Sequence, residues 1–98
     1  MVYLIHFETS YKRARHYIGY TSDLEARIEH HRNGSGAKLL DVVNKAGIKW
    51  DVVRTWEGDR KLERKLKNRK NASQLCPVCR EERRKESNVG NEEYERGN

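Results

Sequence analysis

The chain reads as an α/β (α+β) domain in which a three-stranded antiparallel sheet is flanked by helices, in the order β-β-α-α-β-α. Three observations predict it. An almost continuous apolar run, Val2-Tyr3-Leu4-Ile5-His6-Phe7, is followed closely by a second β-forming segment, His16 to Tyr20, so the two are expected to pair as a hairpin. Residues 22–33 and 37–46 then carry apolar side chains at helical spacing. Finally, an alternating segment over 48–57 leads into a strongly basic helical stretch.

Each element has its own signals. Residues 2–7 place β-formers on both parities, which suits a central strand covered on both faces, and the polar residues 8–15 read as its connecting loop. Ser22-Asp23-Leu24-Glu25 matches a capping box, with the Ser22 hydroxyl accepting from the Glu25 amide, so a helix is expected to start there. Leu24, Ile28 and His31 share one stripe with Arg27 at its edge, and Asn33-Gly34 offers a left-handed terminus. Leu39, Leu40, Val43 and Ala46 form the apolar face of the second helix, which Gly47 stops. In the third strand Ile48, Trp50, Val52 and Trp56 share one parity and therefore one expected face. Gly58-Asp59 supplies a turn and N-cap, and Leu62 and Leu66 mark a third helix whose outer face is nearly all Lys and Arg.

One domain over residues 1–75 is expected, followed by a short charged extension, 76–86, that contains Cys76 and Cys79. Residues 87–98 are expected to be a disordered tail, because they cannot bury enough surface to offset the entropy of ordering. At 98 residues only one modest core is affordable. Charged residues make up 37% of the chain, and 21 Lys and Arg against 15 Asp and Glu give +6, a balance that favours a polyanionic partner such as nucleic acid. No apolar run approaches the roughly 20 residues needed to cross a bilayer, and no signal-peptide pattern opens the chain, so a cytoplasmic location is expected.

Polar groups of catalytic character recur along this framework: Tyr3 and Tyr17 on the paired strands, Arg27 and His31 on the first helix, Glu63 on the third, and an asparagine soon after. Singly, each has a plainer reading. Tyrosines suit strands, Arg27 could pair with a neighbouring carboxylate, Glu63 stands four residues before Lys67, and His31 could simply pack. Their joint order carries the weight. At these residues the chain resembles the GIY-YIG nuclease family: Val2-Tyr3-Leu4 stands where the family has its first tyrosine, and Tyr17-Ile18-Gly19 is a literal YIG. Thr21 to Arg27, with its arginine, and Leu62-Glu63-Arg64-Lys65, with its glutamate, extend the match, although Met1-Val2 replaces Gly-Ile. The family asparagine falls on Asn68 or Asn71, with Asn71 preferred.

The resemblance implies a metal-dependent endonuclease that hydrolyses phosphodiester bonds in nucleic acid, with DNA rather than RNA the expected substrate. In it Tyr3 is the candidate base, Tyr17 a positioning hydroxyl, Arg27 a phosphate clamp, His31 an alternative proton relay and Glu63 the ligand of Mg²⁺, with Mn²⁺ as an alternative. Lys12, Arg13, Arg15, Lys65 and Arg69 are the candidate nucleic-acid contacts, and a homodimer or a targeting partner would be needed for sequence specificity. Two rivals remain: a basic nucleic-acid-binding module of the same fold that cleaves nothing, and a zinc-dependent interaction adaptor. Cys76-Pro77-Val78-Cys79 is half of a zinc site. No second cysteine pair exists, His6 and His16 have no helix-spaced partner, and two ordinary thiols are favoured over zinc, with completion by a histidine or a second subunit left open.

Overall fold

A computed structural model of the chain describes residues 1–84; the expected tail and the last residues of the charged extension lie outside the described residues. Strands β1 (Val2–Tyr11) and β2 (Ala14–Tyr20) form an antiparallel hairpin, and β3 (Trp50–Trp56) pairs antiparallel with the other side of β1, giving the order β2-β1-β3. Helices α1 (Leu24–Arg32) and α2 (Lys38–Lys45) connect β2 to β3. After β3 come α3 (Arg60–Arg69), the single turn α4 (Ala72–Leu75) and helical residues 77–84. The element order is the one expected.

Central strand β1 is buried from Val2 to Phe7 because it is covered on both faces. Val2 and Leu4 pack with Ile18, Leu66, Cys76 and Cys79, whereas Tyr3, Ile5 and Phe7 pack with Leu40, Val43 and Trp50. The pleat thus sorts the chain into two layers: α3 and the C-terminal turns on one side, α1 and α2 on the other.

Three local expectations are corrected. The segment 8–15 is not a loop: both strands run on to a tight turn at Lys12, whose φ is 55°, and Tyr11 faces Ala14. Its residues are polar because beyond Phe7 the ribbon leaves the core, not because pairing stops. The hairpin register breaks between His6 and Tyr11, and there Arg15 donates to the carbonyls of Phe7 (3.3 Å) and Glu8 (3.4 Å).

Helix α1 is capped by Asp23, not Ser22. The Asp23 carboxylate accepts from the Ala26 amide at 3.1 Å, while the Thr21 hydroxyl accepts from the Asp23 amide at 3.1 Å. A carboxylate at the N-cap also gains from the positive end of the helix, which favours starting one residue later.

Trp50 and Trp56 lie on opposite faces. Leu4 faces Arg54 but Ile5 faces Val52, so Val53 is an extra residue on β3, and one bulge reverses the parity of everything beyond it. Trp50 therefore packs in the Tyr3 layer and Trp56 in the Leu4 layer.

Candidate active site

Register places the first three site residues. Tyr3 faces Gly19 and Ile5 faces Tyr17, so the two tyrosines are diagonal neighbours on one sheet face, with ring centroids 6.1 Å apart. The last turn of α1 brings fully buried His31 beneath them, its centroid 5.9 Å from Tyr3 and 5.5 Å from Tyr17. Its Nε2 lies 2.8 Å from the Tyr3 hydroxyl. The Ala37 amide donates to Nδ1 at 3.4 Å, which leaves the proton on Nε2, so His31 donates to the Tyr3 oxygen. Asn44 holds this turn by donating to the His31 carbonyl at 2.6 Å.

Glycine is required by space at position 19. A Cβ there would overlap the Tyr3 hydroxyl and ring and stand 2.9 Å from Tyr17 Cε2. The glycine of the YIG segment is what lets the Tyr3 phenol lie flat across β2.

Burial shapes the protonation of this cluster. Desolvation, reinforced by Tyr17, pushes the Tyr3 phenol well above its ordinary 10, and Arg27 pulls only partly the other way. Desolvation also lowers His31, helped by Arg27 and His30. At neutral pH both groups are uncharged.

Arg27 and Glu63 converge on the same place from two helices. Arg27, half-buried on α1, acts electrostatically on both Tyr3 and His31, and it forms no ion pair among the described residues. Glu63, near the start of α3, is capped into place by Asp59, which accepts from the Lys61 and Leu62 amides. Its side chain is only 16% exposed, its charge acts on Tyr3, and one carboxylate oxygen meets Lys67 at 3.2 Å. Lys67 in turn stands 5.7 Å over the Tyr17 ring. The helix-surface pair anticipated for Glu63 thus exists, but at the rim of the tyrosine cluster.

A single carboxylate with one oxygen free fits Mg²⁺, which dehydrates reluctantly and is commonly held by one or two carboxylates plus water and substrate phosphate. Asn71 lies farther on. Helix α3 ends through Lys70, whose φ is 51°, and Asn71 precedes α4 with its Oδ1 buried and unpartnered among the described residues. Asn68 is exposed.

The candidate nucleic-acid contacts do not form one surface. Lys65 and Arg69 sit about 160° and 120° around α3 from Glu63, on its outer side with Lys61 and Arg64. Lys12 and Arg13 are exposed at the hairpin tip, whereas Arg15 is half-buried, holds the bulge carbonyls and lies 3.8 Å from Glu82. Arg13, Arg15, Lys70 and Arg83 line one open groove, but it lies over His16 and Cys79 and includes none of the tyrosine-cluster residues.

A second cluster lies on the opposite sheet face. His6 and His16 face each other across the hairpin, and Cys76 and Cys79 approach them from the turn after α4. One donor atom from each of the four falls within 4.8 Å of all the others. Of the two completions open for Cys76 and Cys79, the histidine one has its residues: His6 and His16 supply a second ligand pair within the chain. The sequence carries the signal across strands and not along a helix: any hairpin that sets Tyr3 opposite Gly19 sets His6 opposite His16.

No described helix is long and apolar enough to cross a membrane. Comparison with curated proteins found no match, nor did comparison with solved structures. The family model of the GIY-YIG catalytic domain matches residues 1–75, the stretch that carries both tyrosines, Arg27, His31, Glu63 and Asn71. With its motif residues assembled around one buried cluster and most of its length matched, the chain belongs to the GIY-YIG family, which implies nuclease activity in general.

Proposed function

We propose that the protein is a Mg²⁺-dependent endonuclease that hydrolyses phosphodiester bonds in DNA, in the reducing cytoplasm. The observation that carries this reading is the convergence of Arg27 and Glu63 on the Tyr3-Tyr17-His31 cluster. Arg27 offers a planar, permanently charged fork to the non-bridging oxygens without a protein carboxylate to neutralise it among the described residues. Tyr17 positions the phosphate or water through its hydroxyl. Lys67, over the Tyr17 ring, adds positive charge at the edge of the site on β2, the edge strand, and this supports a nucleic-acid backbone lying there.

Tyr3 takes the proton of the attacking water, and for that it must be phenolate. Burial opposes ionisation; the His31 Nε2–H donated to its oxygen and the charge of Arg27 favour it. Mg²⁺ held by Glu63 would supply further positive charge to the phosphate and the departing oxygen.

The test is cleavage of supercoiled DNA, branched DNA and structured RNA by wild type, Glu63→Gln and Arg27→Ala, each with Mg²⁺ or with chelator. Metal-dependent cleavage is expected in wild type only, with Glu63→Gln still binding. Tight binding without cleavage of any substrate by wild type establishes the binding-module alternative instead, and cleavage that survives both substitutions overturns the residue roles.

A further inference from the structure

We propose that His6, His16, Cys76 and Cys79 form a structural Zn²⁺ site that pins the C-terminal turns onto the hairpin, on the sheet face opposite the tyrosine cluster. The site is separate from Glu63 and does not depend on the nuclease reading.

Four of the six donor–donor distances match a tetrahedron around one zinc ion, and all six lie within 4.8 Å. With Zn–N of about 2.0–2.1 Å and Zn–S of about 2.3 Å, tetrahedral angles set N···N near about 3.35 Å and N···S near about 3.55 Å. His6 Nδ1 to His16 Nε2 is 3.3 Å. His6 Nδ1 lies 3.4 Å from Cys76 Sγ and 3.6 Å from Cys79 Sγ, and His16 Nε2 lies 3.4 Å from Cys79 Sγ. Four close donors without an ion between them would be crowded lone pairs and thiols in a buried place; an ion at their centre satisfies all four at once.

Chemistry and charge point the same way. A closed set of two sulfurs and two imidazole nitrogens is the donor set of structural zinc, not of Mg²⁺, which takes oxygen. Two thiolates, two neutral imidazoles and Zn²⁺ sum to zero, which suits a site where Cys76 is fully buried and Cys79 and His6 nearly so. Cys76 precedes Pro77 at the start of the helical residues 77–84, and the Arg80 amide donates to its carbonyl at 3.0 Å. Both sulfurs therefore sit at the first turn of a helix, within one turn of each other. The contacts between sulfurs and imidazoles join residues 63 to 73 positions apart in sequence, and a cross-link that closes a long loop constrains the unfolded chain strongly.

The test is metal analysis of the full chain purified under reducing conditions without chelator, followed by Co²⁺ replacement. One zinc per chain is expected, and Co²⁺ should give the intense visible bands of tetrahedral coordination together with thiolate-to-metal charge transfer. Cys79→Ser and His16→Asn should lose both, while Glu63→Gln keeps one zinc per chain. The proposal is overturned if the reduced wild-type chain neither holds zinc nor yields a tetrahedral cobalt spectrum, or if Cys76 and Cys79 instead form a disulfide and take up no metal after reduction. It is equally overturned if Cys79→Ser and His16→Asn bind zinc as wild type does. The wild-type cobalt spectrum decides the matter even where a variant fails to fold.

Discussion

Replacing Gly19 by alanine isolates the contribution of backbone space to the tyrosine cluster. The added Cβ would sit 2.9 Å from Tyr17 Cε2 and closer still to the Tyr3 ring and hydroxyl, against an ordinary carbon contact of about 3.5–4.0 Å. Tyr3 must retreat by about 1 Å, yet it is 1% exposed and wedged between Tyr17 and His31. Overpacking of this kind costs about 1–3 kcal/mol, and stretching the buried 2.8 Å bond to His31 adds about 1 kcal/mol. A displacement of about 1 Å at a reacting group costs about a hundredfold in rate.

Gly47→Ala is the control. Its φ is 74° with nothing within 4 Å of the missing Cβ, so alanine there is strained by conformation alone, at about 1–2 kcal/mol, without overlapping any residue of the cluster. Urea unfolding and plasmid cleavage should therefore diverge: both variants lose stability, and only Gly19→Ala loses about two orders of magnitude in cleavage rate. If Gly19→Ala unfolds at the wild-type midpoint and cleaves at the wild-type rate, the glycine does not make room for Tyr3 and the cluster is not held as described.

Three further outcomes follow from the same geometry. Because burial raises Tyr3, its phenolate fraction, and with it kcat/KM, should climb about tenfold per pH unit from pH 7 to 9, and Tyr3→Phe should abolish cleavage; a flat profile removes Tyr3 as base. His31, lowered from 6.5 and faced by Tyr3, Tyr17, Arg27 and His30, binds a proton less readily folded than unfolded, so its stabilisation is complete above about pH 6.5 and lost as pH falls through its folded value. Urea midpoints of wild type should accordingly fall more between pH 7 and 5 than those of His31→Gln, and equal falls would contradict this. Lys67→Ala should cost under about 0.5 kcal/mol, because Lys67 is 48% exposed and water screens its pair with Glu63; a loss above about 1 kcal/mol in calorimetry would mean the pair is structural.

What the sequence discloses depends on whether the signal is local. The two-sided burial of β1, the Asp59 cap and the Gly47 stop are legible because neighbouring residues create them. Tyr3, Tyr17, Arg27, His31 and Glu63 could be named because ordered motifs mark them, but the Tyr3–His31 hydrogen bond depends on how α1 lies against the sheet. The extra residue at Val53 leaves no trace in composition, so the faces of Trp50 and Trp56 could not be told apart from parity alone. Ser22 and Asp23 are both good caps, and Thr21 settles the choice by bonding Asp23. His6 and His16 gain meaning only after register is applied and a segment some 60 residues away folds back.

The pairing of β1 with β2 makes the hairpin a two-sided gauge. A slip of one residue in β2 would turn Tyr17 away from His31 and, in the same movement, carry His16 away from the Cys79 sulfur, while β1 stays held by β3. Metal capture on one face would then discriminate among hairpin alignments by their effect on the other. Chains loaded with metal would be those whose tyrosines already stand in place, so metal occupancy would act as a proofreading step in folding for a site that contains none of the four ligands.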